Sequence, residues 1–211
     1  MPHTTTPELA VLHTLRLRGF AEPAAISESS GIDEHSATAV IDHLAADGLV
    51  QHREGRISGW MLTPEGREAH ARLLADERAD AGWDIELERA YGRFVDANDV
   101  FKCICTDWQL RTVDGEQVVN DHSDPTYDAA IAERLDGVHE QIAPVLDELA
   151  TTVARFGPYP TRLRDALGRF RGGDPTALAR PLSSSYHDVW MELHEDLLLS
   201  LGRERSAADG H

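Results

Sequence analysis

Residues 26–66, ISESSGIDEHSATAVIDHLAADGLVQHREGRISGWMLTPEG, constrain the fold more than any other part of the chain. A short helix is expected over residues 22–29, with Ala25 and Ile26 inward, and Ser30-Gly31 supplies a turn. A second helix starting at Asp33 puts Ala37, Val40, Ile41 and Leu44 on one face at helical spacing, and Gly48 ends it. Residues 49–53 and 57–63 are strand-like runs joined through Glu54-Gly55-Arg56, which suits a tight hairpin. Thr63 then caps a new helix with Pro64 at its first position, where a missing N–H costs nothing.

This order of parts resembles the winged helix-turn-helix of bacterial MarR-type regulators. The likeness rests on the pattern L-x-x-x-G-L-V … S-G-W-x-L-T-x-x-G at Leu44, Gly48, Leu49, Val50, Ser58, Gly59, Trp60, Leu62, Thr63 and Gly66, and it covers about the first 80 residues. It implies that the third helix of the chain lies in the major groove of double-stranded DNA and that the hairpin is a wing reaching the minor groove or the backbone. Outward positions on that helix are Glu34, His35, Ser36, Thr38, Ala39, Asp42 and His43. The expected DNA-binding residues are His35, Ser36, Thr38 and His43 on the helix, with Arg53 and Arg56 at the wing tip. Arginines at an exposed hairpin tip are equally at home as solvated turn residues.

Charge argues the other way. The net charge is −17, whereas phosphate contacts from Lys and Arg supply most DNA affinity. Residues 1–80 hold seven arginines and no lysine against 13 Asp and Glu, a balance of −6, and the remainder stands at −11. A homodimer is therefore close to required, since two copies double the phosphate contacts and match a palindrome.

A first helix is expected over residues 7–18, closed by Gly19, and the helix from Pro64 to about Ala79 ends at Ala-Asp-Ala-Gly, 79–82. A domain boundary is placed there, giving a winged-helix domain over 1–80 and an all-α dimerisation and ligand-sensing domain over 83–205. The fold class is mainly α. A long helix is expected over 83–111, then a polar connection over 112–124, then a helix from Pro125 whose apolar stripe runs from Tyr127 to Val153 with a kink at Pro144. That stripe suits either the core of one subunit or a contact between two. Shorter helices follow over 161–171 and after Asp174-Pro175, and a last one over 186–203.

Asn98 interrupts the apolar stripe of the long helix, so it joins a polar network or touches a ligand. With Trp108, Gln109, His122, Tyr127, His187, Trp190 and His194 it makes the candidate small-molecule site. His187 and His194 lie seven residues apart, about 10.5 Å along a helix, so they cannot share a metal ion by themselves. Cys103 and Cys105 read as small packing residues, their spacing suiting neither a disulfide nor one metal ion. No metal, cofactor or catalytic constellation is expected.

Three runs in this half also resemble, more weakly, a helical module attached to pyruvate phosphate dikinase-like, phosphoenolpyruvate-utilising proteins: N-x-x-F-K-C-I-C-T-D-W-Q-L-R from Asn98, N-D-H-S-D-P-T-Y-D from Asn120 and S-Y-H-D-V-W-M-E-L-H-E-D-L from Ser185. Such a module implies sensing or docking rather than catalysis. With no membrane span and no signal-peptide apolar region, the expectation is a cytoplasmic, ligand-responsive, dimeric transcription regulator. The alternative is a winged-helix module that has lost DNA binding and docks on a partner such as a phosphoenolpyruvate-utilising enzyme.

Overall fold

The computed structural model describes residues 1–55, 58–113 and 115–203. It is mainly helical. Helix α1 (Pro7–Arg18) starts at the Thr6 cap, α2 (Pro23–Ser30) ends on Gly31 in the left-handed region, and α3 (Glu34–Ala46) starts where the Asp33 carboxylate accepts the Ser36 N–H. Strands β1 (Val50–Arg53) and β2 (Gly59–Leu62) pair antiparallel, Val50 with Leu62 and Arg53 with Gly59. Ala21 pairs with Trp60 through two backbone bonds of 3.0 Å, and a side chain at Gly59 would crowd the Ala21 backbone. Helix α4 (Pro64–Ala81) begins at the Thr63 cap and ends on Gly82, φ +63.

The rest of the chain carries α5 (Asp84–Gln109), β3 (Leu110–Val113), β4 (Glu116–Val119), α6 (Pro125–Thr152), a 3-10 turn at Ala154–Phe156, α7 (Tyr159–Arg171), α8 (Thr176–Ala179) and α9 (Tyr186–Ser200). The expectation of an all-α C-terminal part is corrected by β3 and β4, an antiparallel hairpin in which Leu110 faces Val119. Its strands are short and carry no apolar alternation, because every side chain of β4, Val118 and Val119 included, is exposed. Helix α6 runs through Pro144, and its stripe, Ile131, Leu135, Val138, Ile142 and Leu149, is buried against α5 within the same chain. Among the described residues no helix is long and apolar enough to cross a membrane.

Two apolar clusters are buried. One gathers Val11, Leu12, Leu15, Ile26, Ile41, Leu44, Val50 and Leu62; the other gathers residues from Trp83 to Leu201 around Phe94, Phe101 and Trp190. Between them lies a polar seam. His3 joins it, since its N–H donates to Thr152 O at 2.9 Å and its carbonyl accepts from Ala154 N at 2.8 Å.

Candidate functional site

Helix α3 exposes His35, Thr38, Ala39, Asp42 and His43, as its periodicity dictates. Two of the expected base readers have local duties. The Ser36 hydroxyl donates to Asp33 Oδ2 at 2.6 Å, and the Thr38 hydroxyl donates to Glu34 O at 2.8 Å. His43 Nε2 lies 3.6 Å from Asp47 Oδ2. In β1, Gln51, His52 and Arg53 are exposed, with His52 held by Glu22 at 3.2 Å and by the Trp60 ring. Arg56 lies outside the described residues. No lysine or arginine stands on the exposed face of α3, and Glu34, Asp42 and Asp47 leave it acidic.

The remaining described arginines of the first 80 residues divide sharply. Arg16 pairs with Glu195 at 3.1 Å, Arg18 with Glu192 at 3.7 Å and Arg78 with Asp84 at 2.8 Å, each partner lying in the C-terminal half. Arg67 and Arg72 are exposed on α4.

The candidate ligand residues fall into two groups rather than one. Asn98 is buried and its Oδ1 accepts from Trp190 Nε1 at 2.9 Å; Trp190 is sandwiched by Phe94, Phe101 and Tyr186. His194 packs on Phe94, and His187 lies over Phe101 and faces a cleft of about 470 Å³ between the end of α1 and α9. Asn98 is thus a member of the core network.

The second group closes the β3–β4 hairpin onto α6. Asn120 Nδ2 donates to Trp108 O and to Asp128 Oδ1, and His122 Nδ1 lies 3.1 Å from Asp128 Oδ2. These ties hold His122 at φ +58, which L side chains seldom adopt, with its ring 4.2 Å from that of Trp108. The Tyr127 hydroxyl donates to Asp107 O, and Gln109 is exposed beside it. Cys105 is half-buried and burial pushes its thiol up to about 12, whereas Cys103 is exposed, not packed.

Sequence reasoning missed the seam between the two clusters. His13 of α1 has Nδ1 2.9 Å from His70 Nε2 of α4 and Nε2 2.9 Å from Asp196 Oδ1 of α9. Asp196 also accepts from Tyr159 at 3.1 Å, from Ser200 at 3.1 Å and from Arg155 Nε at 3.3 Å. Arg155 continues to Glu77 Oε2 at 2.8 Å and to Thr5 at 3.2 Å, its guanidinium lying over the Trp83 ring. Every one of these charged groups is at least nine-tenths buried. Burial pushes the Asp196 carboxyl up, but His13 and Arg155, with the hydrogen bonds from His13 and Tyr159, hold it down at about 2. Burial, seconded by His13, Arg16 and Arg155, depresses His70 to about 3, so it is neutral at physiological pH. Burial and the Asp196 charge drive Tyr159 well above its ordinary value. The signal in the sequence was a titratable residue next to apolar core positions on each of several helices: His13 beside Leu12, His70 beside Ala69, Asp196 beside Leu197.

The seam also reaches the turn between α2 and α3. Arg18 donates to Ser29 at 2.7 Å and lies beside Glu192, which accepts from Arg162 at 2.6 Å. Pro158 lies close to that turn, its Cγ 3.5 Å from where a Cβ at Gly31 would stand. Among the described residues there is no group of three metal-ligating side chains. No family model, no curated protein and no solved structure matches the chain.

Proposed function

We propose that the protein is a DNA-binding transcriptional regulator in which residues 1–80 act as a winged helix-turn-helix and the C-terminal half responds to a small molecule. The observation that carries this reading is the element order, with α3 following the left-handed turn at Gly31 and presenting His35, Thr38, Ala39 and His43 to solvent beside the exposed Arg53 of the hairpin. In this reading α3 enters the major groove, where His35, Thr38 and His43 meet base edges and Ser36 acts chiefly as a helix-start residue. Arg53 and Arg56 grip the backbone or minor groove from the wing. A second copy supplies the missing phosphate contacts and a palindromic reading frame. Because the α6 stripe is consumed within the chain, such a homodimer uses other surfaces.

Arg18 of α1, which donates to Ser29, lies beside Glu192 of α9, and Pro158 lies close to the Gly31 turn, so the C-terminal half touches the turn that precedes α3. An effector that favours one arrangement of the seam would change DNA affinity, and DNA would change effector affinity by the same factor.

A second reading, a protein-docking module, is favoured by two specific features: the carboxylates on α3 and the pairing of Arg16, Arg18 and Arg78 with carboxylates beyond residue 80. Its partner would present a basic surface, and a phosphoenolpyruvate-utilising enzyme is one candidate. The test is fluorescence anisotropy of labelled DNA from upstream of the protein's own coding sequence against a shuffled duplex, with Arg53→Ala alongside. Preference for the upstream DNA, reduced several-fold by the substitution, is expected. Equally negligible binding to both duplexes at low salt sinks the regulator and leaves the docking module.

A further inference from the structure

The chain carries 20 Lys and Arg against 37 Asp and Glu, yet one cleft reverses the balance. It lies between α4 and the end of α9, has a volume of about 600 Å³, and is lined by Arg16, Arg67, Arg78 and Arg203, with Asp84 the one lining carboxylate among the described residues. Its floor is apolar, made by Ala71, Leu74, Ala75 and Leu199. The size is that of a small-molecule site.

Three of the four arginines are held in position by carboxylates. Arg78 is gripped in bidentate fashion by Asp84, Nε to Oδ1 at 2.8 Å and Nη2 to Oδ2 at 3.2 Å, which leaves Nη1 uncommitted by that pair. That Nη1 lies 2.1 Å from where a Cβ at residue 202 would stand, so in this arrangement the guanidinium passes over a glycine, Gly202 at φ +66. Arg203 is fixed by Glu88 at 2.7 Å and Arg16 by Glu195 at 3.1 Å, and each keeps further donors of its five. Arg67 has no ion-pair partner among the described residues. Fixed guanidinium forks over methyl groups recognise a planar or tetrahedral anion attached to an apolar body.

We propose that this cleft binds a small organic anion, a carboxylate or a phosphate on a compact apolar group, with Arg67 as its principal charge partner. The anion replaces water around Arg67 and takes the spare N–H donors of Arg78 and Arg203, while its apolar part covers Leu74 and Leu199. His70 lines the same cleft and is bonded through His13 to Asp196, so an occupant touches the end of the seam that joins the two halves. The site deepens the ligand-responsive part of the reading above. Binding is measured on the full chain without DNA, so its failure is separate from failure of the DNA reading.

The experiment is calorimetric titration with phenylphosphate, phenylacetate and neutral 2-phenylethanol. Saturable binding of at least one anion is expected, about tenfold or more tighter than the alcohol, because hydrogen bonds to charged groups are the stronger kind. Tighter binding of phenylphosphate assigns the site to phosphates, and tighter binding of phenylacetate to carboxylates. Arg67→Glu should weaken the anion by about tenfold or more, whereas Arg72→Glu, on the same helix but outside the cleft, should not. The proposal is overturned if neither anion binds up to about 10 mM, the weak end for so small a ligand. It is equally overturned if the alcohol binds as well as the anions, or if Arg67→Glu binds them as the parent does.

Discussion

His70→Gln should flatten the acid side of the stability curve. In the folded chain burial holds His70 at about 3 rather than its ordinary 6.5. Below pH 6.5 the unfolded chain accepts a proton that the folded chain refuses until about pH 3, so stability is full above 6.5 and falls with pH through that window. The loss from this one group between pH 7 and pH 5 is about 2 kcal/mol, a figure that holds for any folded value below about 4. Asp196 contributes separately and lower: its depressed carboxyl stabilises above its ordinary 3.8 and loses that contribution as pH falls through about 2. Glutamine offers His13 Nδ1 either an N–H or a carbonyl oxygen but does not titrate. Urea unfolding of parent and variant at pH 7, 6 and 5 gives the two slopes, and their difference cancels the histidines that lie away from His70. Parallel slopes for parent and His70→Gln would refute the burial argument.

Arg155→Met should cost about 3–5 kcal/mol at neutral pH, because it leaves Glu77 and Asp196 buried without their shared cation; a loss below about 1 kcal/mol would mean that water reaches the seam. Two glycines give opposite outcomes in thermal melts. A Cβ at Gly66 would collide with the Leu49 carbonyl oxygen, so Gly66→Ala should destabilise by about 1–3 kcal/mol or more, whereas Gly92→Ala, on the open face of α5, should stabilise by about 0.5–1 kcal/mol.

Much of the backbone was legible from local chemistry. The bounds of α1 follow from Thr6, Pro7 and Gly19, and α3 from the Asp33 cap and its Ala37, Ile41, Leu44 face. Both depend on residues within a turn or two of each other. The β3–β4 hairpin carried its sign too, an Asp-Gly pair between two four-residue runs, but exposed strands lack the alternation that sets register. The seam was not legible, because His13 meets Asp196 across 183 residues and Arg155 meets Glu77 across 78. Local patterning can mark such residues as misfits on apolar faces and cannot say which will meet. Asn98 shows the same limit, since its partner Trp190 lies 92 residues away. The cleft at Arg67 depends on side chains from four helices and on the glycine at 202, none of which leaves a motif.

The most direct test of the regulator reading is selection of bound DNA from a randomised duplex pool by the full-length protein at low salt. Enrichment of one palindromic sequence, with half-sites about 10 base pairs apart and with base preferences that change in Thr38→Ala and His43→Ala, is the predicted result. Recovery of DNA with no enriched sequence would contradict it, and would leave the acidic face of α3 as a surface for protein.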